Sequence, residues 1–249
     1  MSQELEADAC FVDARLAELY DPLDADRSDL EPYAQIIDSL GARKILDVGC
    51  GTGTFACQLA ARGLQVTGVD PAGASLAVAG AKPQAPLVQW VHGTVADVPT
   101  GDYDVAVMTA NVAMVFTGDL QWQQTLERIA QLLKPGGRLI FEARRPEARA
   151  WLNWTPELTR ETTLIDRLGP VSTWIEVLDY ADELLSFRET FRFEQEGSEL
   201  VSHSTLRYRT RQELTRTVEA AGFSVQTVQD APDRPGRQFV FIARRDTSD

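Results

Sequence analysis

The chain has 249 residues, 44% of them hydrophobic, enough to bury one large domain with room for a subdomain. Its 37 acidic and 24 basic side chains give a net charge of -13, which opposes the counterion release that favours a phosphate backbone, so a nucleic-acid substrate is disfavoured. No window holds the roughly 18 consecutive apolar residues of a membrane span, MSQELEADAC has no secretory pattern, and Cys10, Cys50 and Cys57 suit neither a disulfide framework nor a zinc site, so a cytoplasmic protein without bound metal is expected.

In chain order, residues 1–40 read as a helical N-terminal cap. Phe11, Leu16 and Leu19 share one apolar face, DPLDADRSDLEP is a loop, and Tyr33 to Leu40 is a second helix. From Lys44 onward short apolar runs alternate with amphipathic segments, the pattern of parallel strands joined by helical crossovers. The strands are KILDV (Lys44 to Val48), QVTGVD (Gln65 to Asp70), LVQWV (Leu87 to Val91), YDVAVMT (Tyr103 to Thr109) and RLIFEA (Arg138 to Ala143). Helices are expected near Thr54 to Arg62, Ala74 to Ala81 and Leu120 to Leu133, the last stopped by KPGG.

After Ala143 four runs with period-two character follow, at Arg160 to Arg167, Ser172 to Tyr180, Leu184 to Glu194 and Glu199 to Tyr208, with QEGSE as a hairpin turn. They predict an antiparallel insertion. The basic run TLRYRTRQELTR, Thr205 to Arg216, reads as a solvated strand end and helix start. The chain then returns to helix (Arg211 to Ala221), strand (Phe223 to Gln229), the loop PDRPG, and a strand (Gln238 to Arg244) that so short a loop makes antiparallel.

The most informative segment is ILDVGCGTGTF, Ile45 to Phe55. A strand ends at Val48, and Gly49, Gly51 and Gly53 let the backbone bend and approach a ligand at a helix N-terminus. Asp70 ends the next strand, where a carboxylate can accept both hydroxyls of a ribose or cap a helix. A nicotinamide dinucleotide would suit both features, but its fingerprint wants glycine or alanine at Thr54, and the antiparallel ending does not fit a doubly wound dehydrogenase.

LDVGCGTG, then VTGVD, GTVADVP, YDVAVMTANV and LLKPGGRLIF, resembles the ordered motif series of class I S-adenosylmethionine (SAM)-dependent methyltransferases. The match covers about Ile36 to Ala143 and, by topology, Arg211 to Arg244. The resemblance implies an α/β, Rossmann-like three-layer sandwich: a mostly parallel seven-stranded sheet with its last strand antiparallel, an antiparallel β insertion and an N-terminal helical cap. The SAM-binding core would comprise residues 41–145 and 209–249, and residues 146–208 a substrate lid or dimer contact. It also implies that Asp47 and the loop Gly49, Cys50, Gly51, Thr52, Gly53 surround the methionine part of SAM, that Asp70 holds the ribose and that Pro71 packs on the adenine. Gly93 to Asp97, including Thr94 and Val95, would line the adenine, and Ala110 and Asn111 would face the sulfonium. Many relatives carry an acid where this chain has Thr94; Asp97 is either its substitute or a turn residue before Pro99.

Methyl transfer from a sulfonium is an in-line displacement that positioning in a dry pocket can largely accomplish, so no obligatory catalytic residue is implied. The candidates are His203 as a base, against a simple strand histidine, Arg144 or Arg145 as a carboxylate clamp, against a surface salt bridge, and Tyr20. Tyr20 belongs with Tyr33, Trp151, Trp154 and Trp174 to an aromatic set outside the SAM core, suited to a flat acceptor or to a small subdomain core. TANVAMV after the fourth strand is not the NPPY-type run of base and glutamine methylation. The expectation is a SAM-dependent methyltransferase acting on a small-molecule acceptor, as monomer or homodimer. A nicotinamide oxidoreductase and a non-catalytic module keeping this fold are the alternatives.

Overall fold

The computed structural model describes residues 7–247. Five apolar runs become parallel strands because both faces of the sheet they form are covered. They are β1 (Lys44–Val48), β2 (Gln65–Asp70), β3 (Val88–His92), β4 (Tyr103–Met108) and β5 (Leu133–Arg144). The helices that cross between them are α4 (Thr54–Ala61), α5 (Gly73–Gly80) and α6 (Asp119–Leu132). Two further strands, β10 (Phe223–Asp230) and β11 (Gln238–Arg245), complete a seven-stranded sheet of order β10-β11-β5-β4-β1-β2-β3. β11 pairs antiparallel with both β10 and β5. The strand order reverses between β1 and β4, where the loops leaving their carboxyl ends diverge and open a crevice.

Alternation along β1 sends Leu46 and Val48 to one face and Ile45 to the other. The first face packs on α6 and on α8 (Arg211–Ala220), with Trp122 fully buried and its indole N–H bonded to Thr217 Oγ1 at 2.9 Å. The second packs on α3 (Glu31–Ser39) and α4 through Tyr33, Ile37, Phe55 and Leu59. α8 begins with a reciprocal capping box between Thr210 and Glu213, which starts the helix as the chain leaves the insertion.

The insertion is a four-stranded antiparallel sheet, β6 (Glu161–Ile165), β7 (Gly169–Ala181), β8 (Leu184–Phe193) and β9 (Ser198–Arg207), preceded by the short helix α7 (Pro156–Thr159). The cap contributes α1 (Ala9–Val12) and α2 (Ala14–Leu23). Leu16 and Leu19 of α2 share a core with Ile165, Val171, Phe191 and Phe193, so cap and insertion shelter one another's apolar side chains.

Three local expectations change. DPLDADRSDLEP is not loop throughout: α2 runs to Leu23 with Pro22 inside it, which forgoes the bond to the Glu18 carbonyl, and the Asp24 amide closes the last turn on Tyr20 O at 3.1 Å. Ser28–Leu30 forms a 3-10 turn and α3 starts at Glu31. KPGG is not a simple turn, since Leu133 already pairs with Tyr103 and the chain bulges, with Gly136 at φ 77°, before Arg138 regains register opposite Val105. Among the described residues no helix is long and apolar enough to cross a membrane, and no metal-ligating cluster forms. Residues 1–6 of the expected cap lie outside the described residues.

Candidate active site

A cavity of about 870 Å³ opens at the carboxyl ends of β1, β2 and β4, with α1, α2 and parts of β8 and β9 also contributing to its wall. Its floor is the glycine loop. The amides of Gly49 and Cys50 both donate to Val69 O, at 2.8 and 3.2 Å, which folds the loop across the end of β2. Gly49 has φ +70°, and a Cβ there would meet Val112 Cγ2 at 2.6 Å, so backbone shape and close approach both demand glycine. Gly51 has φ +52° and open space where its Cβ would lie.

Two carboxylates face this loop. Asp70, 7% exposed, accepts from Gly51 N through Oδ2 and from Ala72 N through Oδ1, both at 2.8 Å. Each oxygen keeps lone-pair capacity for a diol. Burial raises its pKa above the usual range against those two bonds. Asp47 is 1% exposed and its Oδ2 has no hydrogen-bond partner. Burial first, then the charge of Asp70, pushes its carboxyl up to about 7. A buried acceptor without a partner costs free energy, and here it lines a cavity that a donor-bearing ligand can enter.

The cap reaches into the same site. Asp21 Oδ1 accepts from Thr52 Oγ1 at 2.7 Å and Thr54 Oγ1 at 3.1 Å, and Lys82 closes the group by bonding Asp21 and, at 2.7 Å, Thr54. Arg27 lines the cavity with its guanidinium anchored by Asp29 at 3.2 Å. Tyr20 lies beside Phe11, ring centroids 5.8 Å apart, and burial pushes its phenol up to about 12.

The cavity brings together Asp47, Gly49, Cys50, Gly51, Thr52, Asp70, Pro71, Thr94, Val95 and Ala110, as well as Tyr20. Others stand back from it. Gly53 turns its Cα toward Trp90 and Ala79 and starts α4 at φ +75°. Asp97 folds beneath its own loop, accepting from Thr94 N at 2.8 Å and Thr94 Oγ1 at 3.2 Å, the turn role rather than a place on the wall. Asn111, at φ +65°, gives its amide to Glu142 Oε1 at 3.0 Å and accepts from Gln238 Nε2 at 3.3 Å, so its side chain points into the fold. Ala110, at φ +53°, takes the cavity position.

His203 is exposed on β9 opposite Arg188 and does not line the cavity. Arg144 stacks over Trp154 at 5.0 Å and Arg145 pairs with Asp230 at 2.5 Å, both away from the cavity wall. Of the aromatic set, Trp151 packs on Tyr208, Trp174 lies under Arg160 and Tyr33 bonds Glu142, leaving Tyr20 as the one at the site. Composition and spacing did not single out Asp8, Arg27, Gln121, Gln124, Leu184 or Thr205, which also line the wall. The helical spacing that placed Phe11 on an apolar face was a usable signal for that residue, because the face it marks meets the cavity.

Residues 45–137 match the model of a methyltransferase domain family. The ubiquinone biosynthesis O-methyltransferase of Pectobacterium atrosepticum is 36% identical over 124 residues, 48% of this chain and 50% of that protein. The chain thus spans about half the length of the curated relatives it matches. Among solved structures, the methyltransferase CcbJ from Streptomyces caelestis is similar with a TM-score of 0.73 at 22% identity, over 93% of this chain and 96% of that one. CalS10 from Micromonospora echinaspora, solved with SAM and described as an amino pentose methyltransferase of calicheamicin biosynthesis, has a TM-score of 0.69 at 22% identity over 92% and 95%. Residues 45–137 thus carry the methyltransferase domain, and the chain shares its fold along nearly its whole length with solved methyltransferases.

Proposed function

We propose that this protein transfers the methyl group of SAM to a small-molecule acceptor. The observation that carries the reading is the meeting, in one cavity, of a left-handed glycine loop, the unpartnered Asp47 Oδ2 and the diol-competent Asp70. This donor and acceptor set fits SAM. Asp70 would hold the ribose hydroxyls, Asp47 and the Gly49 to Gly53 loop the methionine ammonium, and Arg27 its carboxylate. Pro71, Thr94 and Val95 would flank the adenine. SAM when bound supplies a methyl group made electrophilic by its sulfonium.

The chain's own part is to position and to exclude water. Ala110, Val112 and Phe116 form the wall beyond the loop after β4, and Phe11, Tyr20 and Leu184 bring apolar surface from the cap and insertion. A dry, closely held nucleophile is most of what an in-line displacement requires. Asn111 and Asp97 act in this reading by shaping the loops that carry Ala110 and Thr94. An acceptor of small size is supported by the net charge of -13 and by the likeness to CalS10, which includes the insertion. The three free cysteines suit the reducing cytoplasm, where we place the reaction.

Calorimetric titration with SAM and separately with NAD tests the reading. Binding of SAM without binding of NAD is expected; the reverse would establish the oxidoreductase alternative.

A further inference from the structure

Asp8 occupies the N-cap of α1 in extended conformation, φ -63° and ψ 157°. Aspartate at that position ordinarily accepts from a helix amide, yet this side chain makes no capping bond. It lines the cavity instead, with Phe11, Tyr20, Leu184 and Thr205. Among the described residues no Lys, Arg or His forms an ion pair with it. Neither arginine of the cavity pairs with Asp8: Arg27 meets Asp29 and Asp24 through Nε and in the reading above would face the SAM carboxylate, and Arg128 donates to the carbonyls of Val95 and Val98 at 3.2 and 2.8 Å. Asp8 therefore offers an unpaired carboxylate in a cavity that also holds aromatic rings, a combination that attracts a cation.

Resting on the methyltransferase reading above, we propose that the methyl acceptor is an amine, bound through its nitrogen at Asp8 in the cavity that the Phe11 and Tyr20 rings also line. An amine reaches the site mostly as an ammonium ion, which has no lone pair for attack. Asp8 first holds that ion and then takes one N–H proton on a carboxylate oxygen. The freed lone pair forms the N–C bond as the C–S bond breaks, its electron pair leaving on sulfur. The products are a methylated ammonium ion and a neutral thioether, and Asp8 returns its proton to water. Burial, only partly opposed by the Ser204 hydroxyl, holds the Asp8 carboxyl above its usual range, which makes it a better proton acceptor than a solvated aspartate. No histidine lines the cavity to activate a hydroxyl in its place.

The test uses the full chain loaded with S-adenosylhomocysteine. Cyclohexylamine with cyclohexanol, and benzylamine with benzyl alcohol, are titrated as matched pairs into wild type, Asp8→Asn and Asp8→Glu. Wild type is expected to bind each amine at least about tenfold more tightly than its alcohol, the range of a hydrogen bond to a charged group. Asp8→Asn should lose that preference, Asp8→Glu should keep it within a few fold, and both should bind S-adenosylhomocysteine as wild type does. Equal binding of amine and alcohol by wild type, or a preference that survives in Asp8→Asn, overturns the amine assignment and leaves the methyltransferase reading standing. Failure of wild type to bind S-adenosylhomocysteine overturns that reading and the amine assignment with it.

Discussion

Asp21, in the last turn of α2, accepts a hydrogen bond from Thr52 in the middle of the glycine loop at 2.7 Å, so the cap and the floor of the cavity are joined by one side chain. Replacing Asp21 by Ala strands Lys82, Thr52 and Thr54 together. We expect weaker SAM binding, by roughly 1 to 3 kcal/mol, and faster hydrogen exchange in α2. Equal exchange in variant and wild type would show that the cap is held by its apolar face alone. The link also responds to acid. Burial works against ionisation of Asp21, but bonds from Lys82 and Thr52 outweigh it and hold the carboxyl below its usual range. Its contribution is complete above the ordinary aspartate value near 3.9 and is lost as pH falls through the depressed value.

Asp47 has the opposite sign. Its carboxyl is pushed up to about 7, first by burial. A raised carboxyl favours the folded state when protonated, so its share of the unliganded protein's stability is complete below about 3.9 and declines as pH rises toward 7. An ionised Asp47 is the form that pairs with an ammonium group. SAM affinity should accordingly increase between pH 6 and pH 8, and this dependence should vanish in Asp47→Asn. Calorimetry across that range reads it directly.

Glu142 anchors the left-handed turn after β4. It takes the Tyr33 hydroxyl and the Asn111 amide, and burial raises its carboxyl above the usual range. Glu142→Gln keeps an acceptor and removes a buried charge, so urea unfolding at neutral pH should show little loss of stability or a gain. Glu142→Ala leaves a buried donor without a partner and should cost about 2 to 3 kcal/mol. Equal losses in both variants would mean that the ionised form itself holds the turn.

Glycine substitutions separate contact from backbone strain. Gly49→Ala must adopt φ +70° and displace Val112, whereas Gly51→Ala meets only the backbone cost. We expect both to lower stability, Gly49→Ala by more, with SAM binding abolished in it. Thermal unfolding of the two variants checks the order.

The core of the sheet was legible because its signals are local. The apolar run of KILDV, the glycine run after it and Asp70 at the end of the next strand each mark their own place in the chain. The antiparallel end followed from the shortness of PDRPG. The cavity's outer wall was not legible for the same reason. Asp8, Arg27 and Thr205 are separated by long stretches of sequence and meet through the packing of α2 on the insertion. Asn111 sits beside Ala110 in sequence, but a left-handed turn sends one inward to Gln238 and the other to the cavity. Asparagine at position 111 is a residue type enriched in left-handed backbone, but nothing in periodicity marks the left-handed Ala110 beside it.

The measurement that tests the central claim most directly is calorimetric titration of SAM into wild type and Asp70→Ala under identical conditions. Wild type should bind, and the folded variant should lose roughly 1.5 to 3 kcal/mol of affinity with the charged acceptor of the ribose gone. Equal affinity in a variant that unfolds cooperatively would contradict the placement of SAM in this cavity.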